Sequence, residues 1–243
     1  MTTNDLIGLR LGRSDALFLD FDGTLAEIGV DPDAILLPPP THDALGRLGA
    51  RLGGALTLIS GRDLRDLAAR TPSCVWRAGG HGLEVAAPGA GLPPAPAPPP
   101  EAVLEPLRAA TRIPGVRLEL KGPIAALHYR AAPRAEAACR AAADVAAAAI
   151  AGYVAQAGKM VVEVKPTGAH KGRALRLMSA LAPFANRRPV MIGDDVTDED
   201  AILSAQALGG LGVKVGPGAS AARLRAPDPA AVRAWIDREA RLA

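Results

Sequence analysis

Aromatic residues and cysteines are scarce in this chain. Phe, Trp and Tyr together make up 3% of the 243 residues, so Ala, Leu and Val must fill the hydrophobic core that this length allows. The two cysteines, Cys74 and Cys139, are far apart and have no CxxC or CxxH spacing. The usual cysteine metal sites are therefore excluded, and we expect two buried free thiols in a reducing compartment.

Long apolar runs and blocks of basic residues are also missing. No segment approaches the roughly 18 consecutive apolar residues of a membrane span, and the N-terminus lacks the apolar stretch of a signal peptide. We therefore expect a cytoplasmic protein without membrane contacts. The net charge is +3, but aromatic and basic residues do not alternate, which argues against nucleic-acid binding. This diffuse positive charge suits a small anionic partner.

Short apolar runs alternate with helical patterns at both ends of the chain. Strands are predicted at 16–19, 55–60, 74–80, 188–195 and 211–216. Helices are predicted at 41–52, 62–70, 170–181, 198–208 and 229–242. Because strands and helices alternate, the sequence predicts a parallel α/β sheet with helices packed against it.

The middle of the chain has a different pattern. Residues 87–100 are rich in Pro, Ala and Gly, which predicts a connecting loop. Beyond this loop, helices are predicted at 101–111 and 133–151, and strands at 116–122, 124–130, 153–159 and 160–166. The strand pairs would turn at Gly122-Pro123 and Ala157-Gly158. We expect a core of residues 1–90 and 167–243 with a smaller α+β domain inserted at 91–166.

Acidic residues follow two of the predicted buried strands directly. Asp20 and Asp22 come after the strand at 16–19, and Asp194 and Asp195 end the strand at 188–195. Ligands of parallel α/β sheets bind at the carboxyl ends of the strands, so these carboxylates should lie together. Clustered carboxylates need protons or a cation. Mg²⁺ suits such oxygen ligands and leaves room for a phosphate.

Groups that bind anions are predicted at the same edge of the sheet. Ser60 precedes a predicted helix, and Lys171 begins another. Each feature also has an ordinary structural explanation. Ser60 and the acidic residues after Gly193 could be helix caps, Asp22-Gly23 could be a turn, and Lys171 could be a solvated helix residue. Their joint occurrence in this order favours a functional site.

Four motifs together resemble the haloacid dehalogenase (HAD) superfamily of phosphotransferases. They are DFDGT at 20–24, ISGR at 59–62, the helix-opening Lys171 and GDDVTDED at 193–200. The resemblance implies a doubly wound parallel-sheet core with an inserted α+β cap of the C2 type. Within the superfamily, the chain is similar to trehalose-6-phosphate phosphatases. Four segments carry that similarity: 79–85, 120–130, 161–175 and 193–201.

The resemblance implies a role for each motif. Asp20 would be the nucleophile that forms an aspartyl-phosphate, and Asp22 would be the general acid and base, in surroundings that raise its pKa. The cofactor would be Mg²⁺. Its ligands would be Asp20, Asp22, Asp194 and Asp195, supported by Thr24 and Asp198. The phosphoryl group would be held by Ser60, Gly61 and Lys171.

The resemblance also implies contacts with the hydroxyl groups of a disaccharide. Glu163 and Lys165 lie two residues apart on a predicted strand and so share one face, as would His128 and Arg130. The expected sugar contacts are Arg62, His81, Gly82, Lys121, His128, Arg130, Glu163 and Lys165. For each strand residue the alternative is an ordinary exposed charge, and for His81 it is a structural histidine.

The implied activity is Mg²⁺-dependent hydrolysis of trehalose 6-phosphate by a protein for which we favour a monomer. The inserted domain would act as a lid that excludes water. The nearest alternative is a phosphatase for another sugar phosphate, such as sucrose phosphate or glucosylglycerol phosphate. Two further alternatives are a phosphoacceptor signalling domain, which has no such insert, and a sugar-phosphate sensor that has lost turnover. The presence of Asp20, Asp22 and Lys171 argues against the sensor.

Overall fold

The computed structural model describes residues 5–29 and 34–242. The chain divides into two compact units, one of Met1–Pro93 with His170–Ala243 and one of Pro94–Ala169. The inserted unit thus begins after Pro93 rather than after residue 90, and ends at Ala169 rather than at 166. Its role as a cap stays a prediction. None of the helices in the described ranges has the length and apolar character needed to cross a membrane.

The described chain contains eleven strands and seven α-helices. The strands are β1 (Asp15–Leu19), β2 (Leu56–Ile59), β3 (Trp76–Gly79), β4 (Glu84–Ala86), β5 (Arg117–Lys121), β6 (Ile124–His128), β7 (Tyr153–Gly158), β8 (Val161–Pro166), β9 (Arg188–Gly193), β10 (Leu211–Val215) and β11 (Leu224–Ala226). The helices are α1 (Pro39–Arg51), α2 (Leu64–Arg70), α3 (Glu101–Ala110), α4 (Glu136–Ala148), α5 (Lys171–Ser179), α6 (Val196–Ala207) and α7 (Pro229–Ala240).

The first unit contains a seven-stranded sheet in the order β11-β10-β9-β1-β2-β3-β4. All neighbours are parallel except β3 and β4. Side chains alternate along β1: Leu17 and Leu19 join one apolar core with α1 and α7, while Ala16 and Phe18 join a second core with α5 and α6. Helices therefore cover both faces, and the predicted α/β class with a doubly wound core is confirmed.

The second unit contains a four-stranded antiparallel sheet in the order β5-β6-β8-β7. One face packs against α3 and α4 through residues such as Leu127 and Val162. Glu119, Lys121 and Glu163 are not part of this core, because alternation along the strands directs them to the other face. An antiparallel sheet tolerates such a polar face. The predicted α+β class of the insert is confirmed.

Several sequence predictions differ from the structure in detail. The second hairpin turns at Lys159-Met160 rather than at Ala157-Gly158, because β7 stays paired with β8 up to Gly158. The short strands β4 and β11 were not predicted, since three residues carry too little periodicity. The prediction of two buried thiols is wrong for Cys74, which is exposed, whereas Cys139 is buried.

The Pro-rich segment at 87–100 has neither helix nor strand, as predicted. Its burial nevertheless has a period of three. Pro93 and Pro96 are less exposed than their neighbours and Pro99 is buried, whereas the residues between them are exposed. This is the spacing of a polyproline II helix. The side chain of Pro96 lies against the β5–β6 turn at Gly122, so this part of the segment contacts the sheet of the second unit.

Candidate active site

Lys171 lies between two buried carboxylates. Its Nζ donates to Oδ1 of Asp20 at 2.6 Å and to Oδ1 of Asp198 at 2.7 Å. Asp20 follows β1 directly, Lys171 is the first residue of α5, and Asp198 lies in the first turn of α6. Each of the three is at most 4% exposed, so water does not weaken these ion pairs. Within the described chain, Oδ2 of Asp20 accepts no hydrogen bond, which leaves that oxygen available for chemistry.

Asp198 supports its neighbours with both of its oxygens. While Oδ1 accepts from Lys171, Oδ2 accepts from the backbone N–H groups of Asp194 and Asp195, each at 3.0 Å. The carboxylate therefore fixes the lysine and also the turn that follows β9. The role expected for Asp198 in supporting a metal site stays a prediction.

The start of α5 is itself held in place. Nδ1 of His170 accepts from the backbone N–H of Arg173 at 3.2 Å and caps the helix. Nε2 of the same ring lies 2.9 Å from Oδ2 of Asp200 on α6. Lys171 therefore extends from a helix terminus that is fixed to its neighbouring helix.

A third carboxylate, that of Asp194, completes an acidic cluster. Oxygens of Asp20, Asp194 and Asp198 all lie within 4.8 Å of one another. Gly23 has a φ of +84°, and a Cβ at this position would collide with the Asp194 carboxylate, so only glycine suits this close approach. Thr24 Oγ1 donates to Asp194 Oδ1 at 3.5 Å, and the supporting role expected for Thr24 stays a prediction.

The electrostatics of the cluster fit a bound cation. Burial, followed by the charge of Asp198, raises the pKa of Asp20 well above its ordinary value and that of Asp194 to about 6. Burial alone would lower the pKa of Lys171, but Asp198 and Asp20 raise it, so the lysine stays charged. The three carboxylates exceed by one the two ammonium groups at this cluster, those of Lys171 and of Lys214, whose charge lowers the pKa of Asp194. Asp20 and Asp194 are the oxygen donors that a divalent cation prefers, and its charge would offset the excess.

Asp22 does not belong to this cluster but is paired with Arg62. The guanidinium donates from Nε to Oδ2 of Asp22 and from Nη2 to Oδ1, both at 2.7 Å. Its Nη1 donates to Oδ2 of Asp66, also at 2.7 Å. Arg62 was expected to contact sugar, and that role stays a prediction.

The loop of Ser60 is fixed by a strained turn. Ser60 does not begin a helix as predicted, because α2 begins at Leu64 and is capped by Asp63. Instead, Oγ of Ser60 accepts from the backbone N–H of Arg62 at 3.0 Å. The N–H of His81 donates to the Ser60 carbonyl at 2.8 Å. His81 has a φ of 56°, a conformation that side-chain-bearing residues adopt mainly under local constraint.

Two predicted sugar-binding positions belong to that same turn. The imidazole of His81 lies directly against Gly61, within 3 Å of the place that a Cβ there would occupy. Gly82 packs against Ala174 of α5, where a Cβ would collide. The turn therefore joins the Ser60 loop to the helix that carries Lys171, and the sugar contacts of His81 and Gly82 stay predictions.

In the second unit, charged side chains gather on the face of the sheet opposite the apolar core. Nε2 of His128 lies 2.6 Å from Oε2 of Glu119. Lys121 Nζ lies 3.7 Å from Glu119 and 3.6 Å from Glu163. Arg130 is exposed and lies two residues beyond the end of β6, so its expected alignment with His128 does not follow from the strand. Lys165 shares the face of Glu163 through the alternation of β8.

Comparisons with known proteins cover both units. The family model described as Trehalose-phosphatase matches residues 18–227. This chain belongs to the trehalose-phosphatase family. Trehalose-6-phosphate phosphatase from Escherichia coli (strain K12) is 39% identical over 233 residues, which is 93% of this chain and 87% of that protein. As a member of this family, the chain is a phosphatase.

Solved structures support the fold. The C-terminal domain of Candida albicans trehalose-6-phosphate phosphatase has a TM-score of 0.82 at 23% identity, covering 96% of this chain and 93% of that chain. A haloacid dehalogenase-like hydrolase from Bacteroides thetaiotaomicron has a TM-score of 0.65 at 15% identity, covering 92% of this chain and 98% of that chain. The phosphatase therefore has the predicted HAD fold.

The structure adds three charged residues that we did not predict in this phosphatase. Glu119 pairs with His128, Asp66 pairs with Arg62, and Lys214 donates to the backbone carbonyl of Asp194. Each left a sign in the sequence. Glu119 is two residues before Lys121 and Asp66 is four residues after Arg62. Lys214 interrupts an apolar strand, where an unpaired charge would be costly.

Proposed function

We propose that this protein hydrolyses trehalose 6-phosphate to trehalose and inorganic phosphate, through an aspartyl-phosphate on Asp20 and with Mg²⁺ as cofactor. The observation that carries the proposal is the pairing of Asp20 with Lys171 at the carboxyl edge of the sheet, in a chain of the trehalose-phosphatase family. Lys171 holds one oxygen of Asp20 and so orients the other for attack on phosphorus.

Residues around Asp20 would stabilise the transferring phosphoryl group. The ammonium of Lys171 offsets negative charge on its oxygens, while the Ser60 hydroxyl and the Gly61 backbone N–H supply hydrogen bonds. Asp20 and Asp194, with the backbone carbonyl of Asp22 and with Asp195, would hold Mg²⁺. When bound, the metal ion neutralises charge so that an anionic nucleophile can approach a phosphate ester.

Asp22 would move the proton. It would protonate the sugar oxygen as the bond to phosphorus breaks, and it would then take a proton from the water that attacks the aspartyl-phosphate. The bidentate contact with Arg62 supports the role of Asp22 as proton carrier, because it gives the Asp22 carboxylate a defined orientation.

The charged sheet face of the second unit would bind the sugar. Carboxylate and ammonium groups on adjacent strands offer acceptors and donors to hydroxyl groups, and alternation of the strands presents them on one side. We assign this role to Lys121, His128, Arg130, Glu163 and Lys165. In the first unit we assign further contacts to Arg62, His81 and Gly82. The second unit would act as the lid, in a cytoplasmic enzyme.

The proposal is tested by phosphate release from a panel of sugar phosphates. Purified protein with Mg²⁺ would be given trehalose 6-phosphate, sucrose 6-phosphate and glucosylglycerol phosphate, with EDTA as the metal-free control. We expect the highest kcat/KM with trehalose 6-phosphate and no release in EDTA. Preference for another ester would reassign the substrate, and equal release with EDTA would contradict the metal requirement.

A further inference from the structure

Four side chains of alternating charge form a continuous chain of ion pairs in the first unit. Asp22 is bound by the fork of Arg62, as described above. Nη1 of Arg62 then donates to Oδ2 of Asp66 at 2.7 Å. The other oxygen of Asp66, Oδ1, accepts from Nε of Arg70 at 2.8 Å. One end of this series of ion pairs is Asp22, which we propose as the proton carrier. The other end is Arg70 of α2, which is far from Asp22 in the sequence.

Arg62 is constrained along its whole length. Its backbone N–H donates to Ser60 Oγ, and its carbonyl accepts from the N–H of Gly80 at 2.7 Å. Its guanidinium lies 5.3 Å from the centre of the Phe21 ring, and its side chain is 9% exposed. An arginine side chain normally has many rotamers, and ordering it costs conformational entropy. The contact with Asp66 holds Nη1 of the guanidinium, in addition to the contacts that its Nε and Nη2 make with Asp22.

Asp66 is held in turn by its own helix. Asp66 and Arg70 lie four residues apart on α2, the spacing at which side chains of a helix meet. Nη1 of Arg70 also donates to the backbone carbonyl of Ile35 at 2.6 Å, so this arginine is anchored outside its helix. Arg70 is 9% exposed at its side chain, like Arg62. The carboxylate of Asp66 is thus clamped between two nearly buried guanidinium groups.

We propose that Asp66 is a positioning residue for the hydrolytic reaction, acting through Arg62 to set the orientation of the Asp22 carboxylate. This inference rests on the proposed function, which makes Asp22 the proton carrier. Asp66 itself bonds to arginines and not to Asp20 or Asp22. A proton carrier must lie within hydrogen-bond reach of the leaving oxygen, and a misplacement of about 1 Å is enough to slow a reaction severely.

The decisive variant is Asp66→Asn, which keeps the size of the side chain and removes its charge. The matched control is Asp237→Asn, because Asp237 likewise contacts an arginine four residues on, Arg241 at 2.7 Å, and a second arginine, Arg47 at 3.7 Å. Thermal unfolding of both variants verifies that they are folded. We expect Asp66→Asn to lower kcat about tenfold with KM within about twofold, and Asp66→Glu to recover part of that loss. Asp237→Asn should match the wild type.

Crystal structures of the two variants give a readout that does not depend on activity. In Asp66→Asn we expect the fork between Arg62 and Asp22 to be displaced or broken, and in Asp237→Asn we expect it to be intact. An intact fork in Asp66→Asn, or the same kcat as in the control, would overturn the inference. A higher KM at unchanged kcat would also overturn it, since that result indicates substrate binding. Failure of the proposed function would be seen separately, as a lack of phosphate release by the wild type.

Discussion

The two units of this phosphatase hold their charges in different ways. In the first unit, Lys171 bonds to Asp20 and Asp198 at 2.6–2.7 Å, and none of the three is more than 4% exposed. In the second unit, Lys121 lies 3.6–3.7 Å from its acidic neighbours, and the side chain of Glu119 is 30% exposed. Both groups are mixtures of carboxylates and cations, and His128 lies 2.6 Å from Glu119, but Lys121 of the second group is held at longer distances from its acidic neighbours than Lys171 is.

The difference indicates what each unit can contribute. A buried pair is intolerant of the loss of one partner, because the remaining charge has neither water nor a counter-ion. The pairs of Lys121 are longer and therefore individually weaker, so these groups can bind the hydroxyl groups of a ligand in place of one another at a lower cost. We therefore expect changes in the first unit to affect turnover and stability, and changes in the second unit to affect affinity.

The largest effect is expected from Asp20→Asn. The amide keeps the shape of the carboxylate but is no nucleophile, so phosphate release from trehalose 6-phosphate should fall by about a thousandfold or more. Steady-state phosphate release measures the loss, and a thermal melt verifies the fold. A variant that keeps more than a few per cent of the activity would exclude Asp20 as the nucleophile.

Removal of Asp198 should be the most damaging change to stability. Asp198→Ala leaves the Lys171 charge with one partner fewer and two backbone N–H groups without their acceptor, so we expect the free energy of unfolding to fall by about 3–5 kcal/mol. Chemical denaturation measures this change. Asp195→Asn is the control and should cost well under 1 kcal/mol, because Asp195 is the N-cap residue of α6 and Asn also suits that position. Equal losses in the two variants would contradict the supporting role of Asp198.

Changes on the sheet face of the second unit should act on affinity. Glu163→Gln removes a charged hydrogen-bond acceptor, so KM for trehalose 6-phosphate should rise about tenfold while kcat changes much less. The control is Glu136→Gln on α4, an exposed residue paired with Arg140 at 2.7 Å. If kcat falls in Glu163→Gln while KM stays constant, the assignment of substrate affinity to the second unit would be wrong.

The smallest expected effect is a pH dependence of stability at Glu119. Burial alone would raise the pKa of Glu119, but the hydrogen bond with His128 and the charge of Lys121 bring it below the usual value. Because the pKa is lower in the folded state, the ionised carboxylate stabilises the fold above the unfolded-state pKa, near 4.5, and this contribution is lost as the pH falls further. The difference in unfolding free energy between the wild type and Glu119→Gln should therefore shrink from pH 6 to pH 3. A difference that is constant with pH would contradict the pairing.

Features with local periodicity could be predicted from the sequence. The buried strand before Asp20, the helix that begins at Lys171 and the shared face of Glu163 and Lys165 all follow from repeats of two or 3.6 residues. The grouping of Asp20 with Asp194 followed from the rule for strand ends in parallel sheets.

Features that depend on the start of an element or on distant partners could not be predicted. The sequence predicts a helix that begins just after Ser60, with Ser60 as a phosphate ligand or as a helix cap, whereas the cap is Asp63, three residues further on. Both residue types favour the cap position, so the sequence does not distinguish them. The pairing of Arg62 with Asp22 joins residues 40 positions apart in the chain, and no local pattern encodes it. For Lys214, the apolar strand that it interrupts indicates that a partner is needed, but the partner is a backbone carbonyl and cannot be identified from the residue types.

The central claim is that Asp20 takes the phosphoryl group, and trapping of the intermediate tests it most directly. Enzyme mixed with Mg²⁺ and trehalose 6-phosphate would be quenched in acid within the first turnovers, digested and mapped by mass spectrometry. We predict one phosphoryl group on the peptide that contains Asp20, and none in the Asp20→Asn variant. A phosphoryl group on another residue, or turnover by an enzyme that is unmodified at every quench time, would contradict the account.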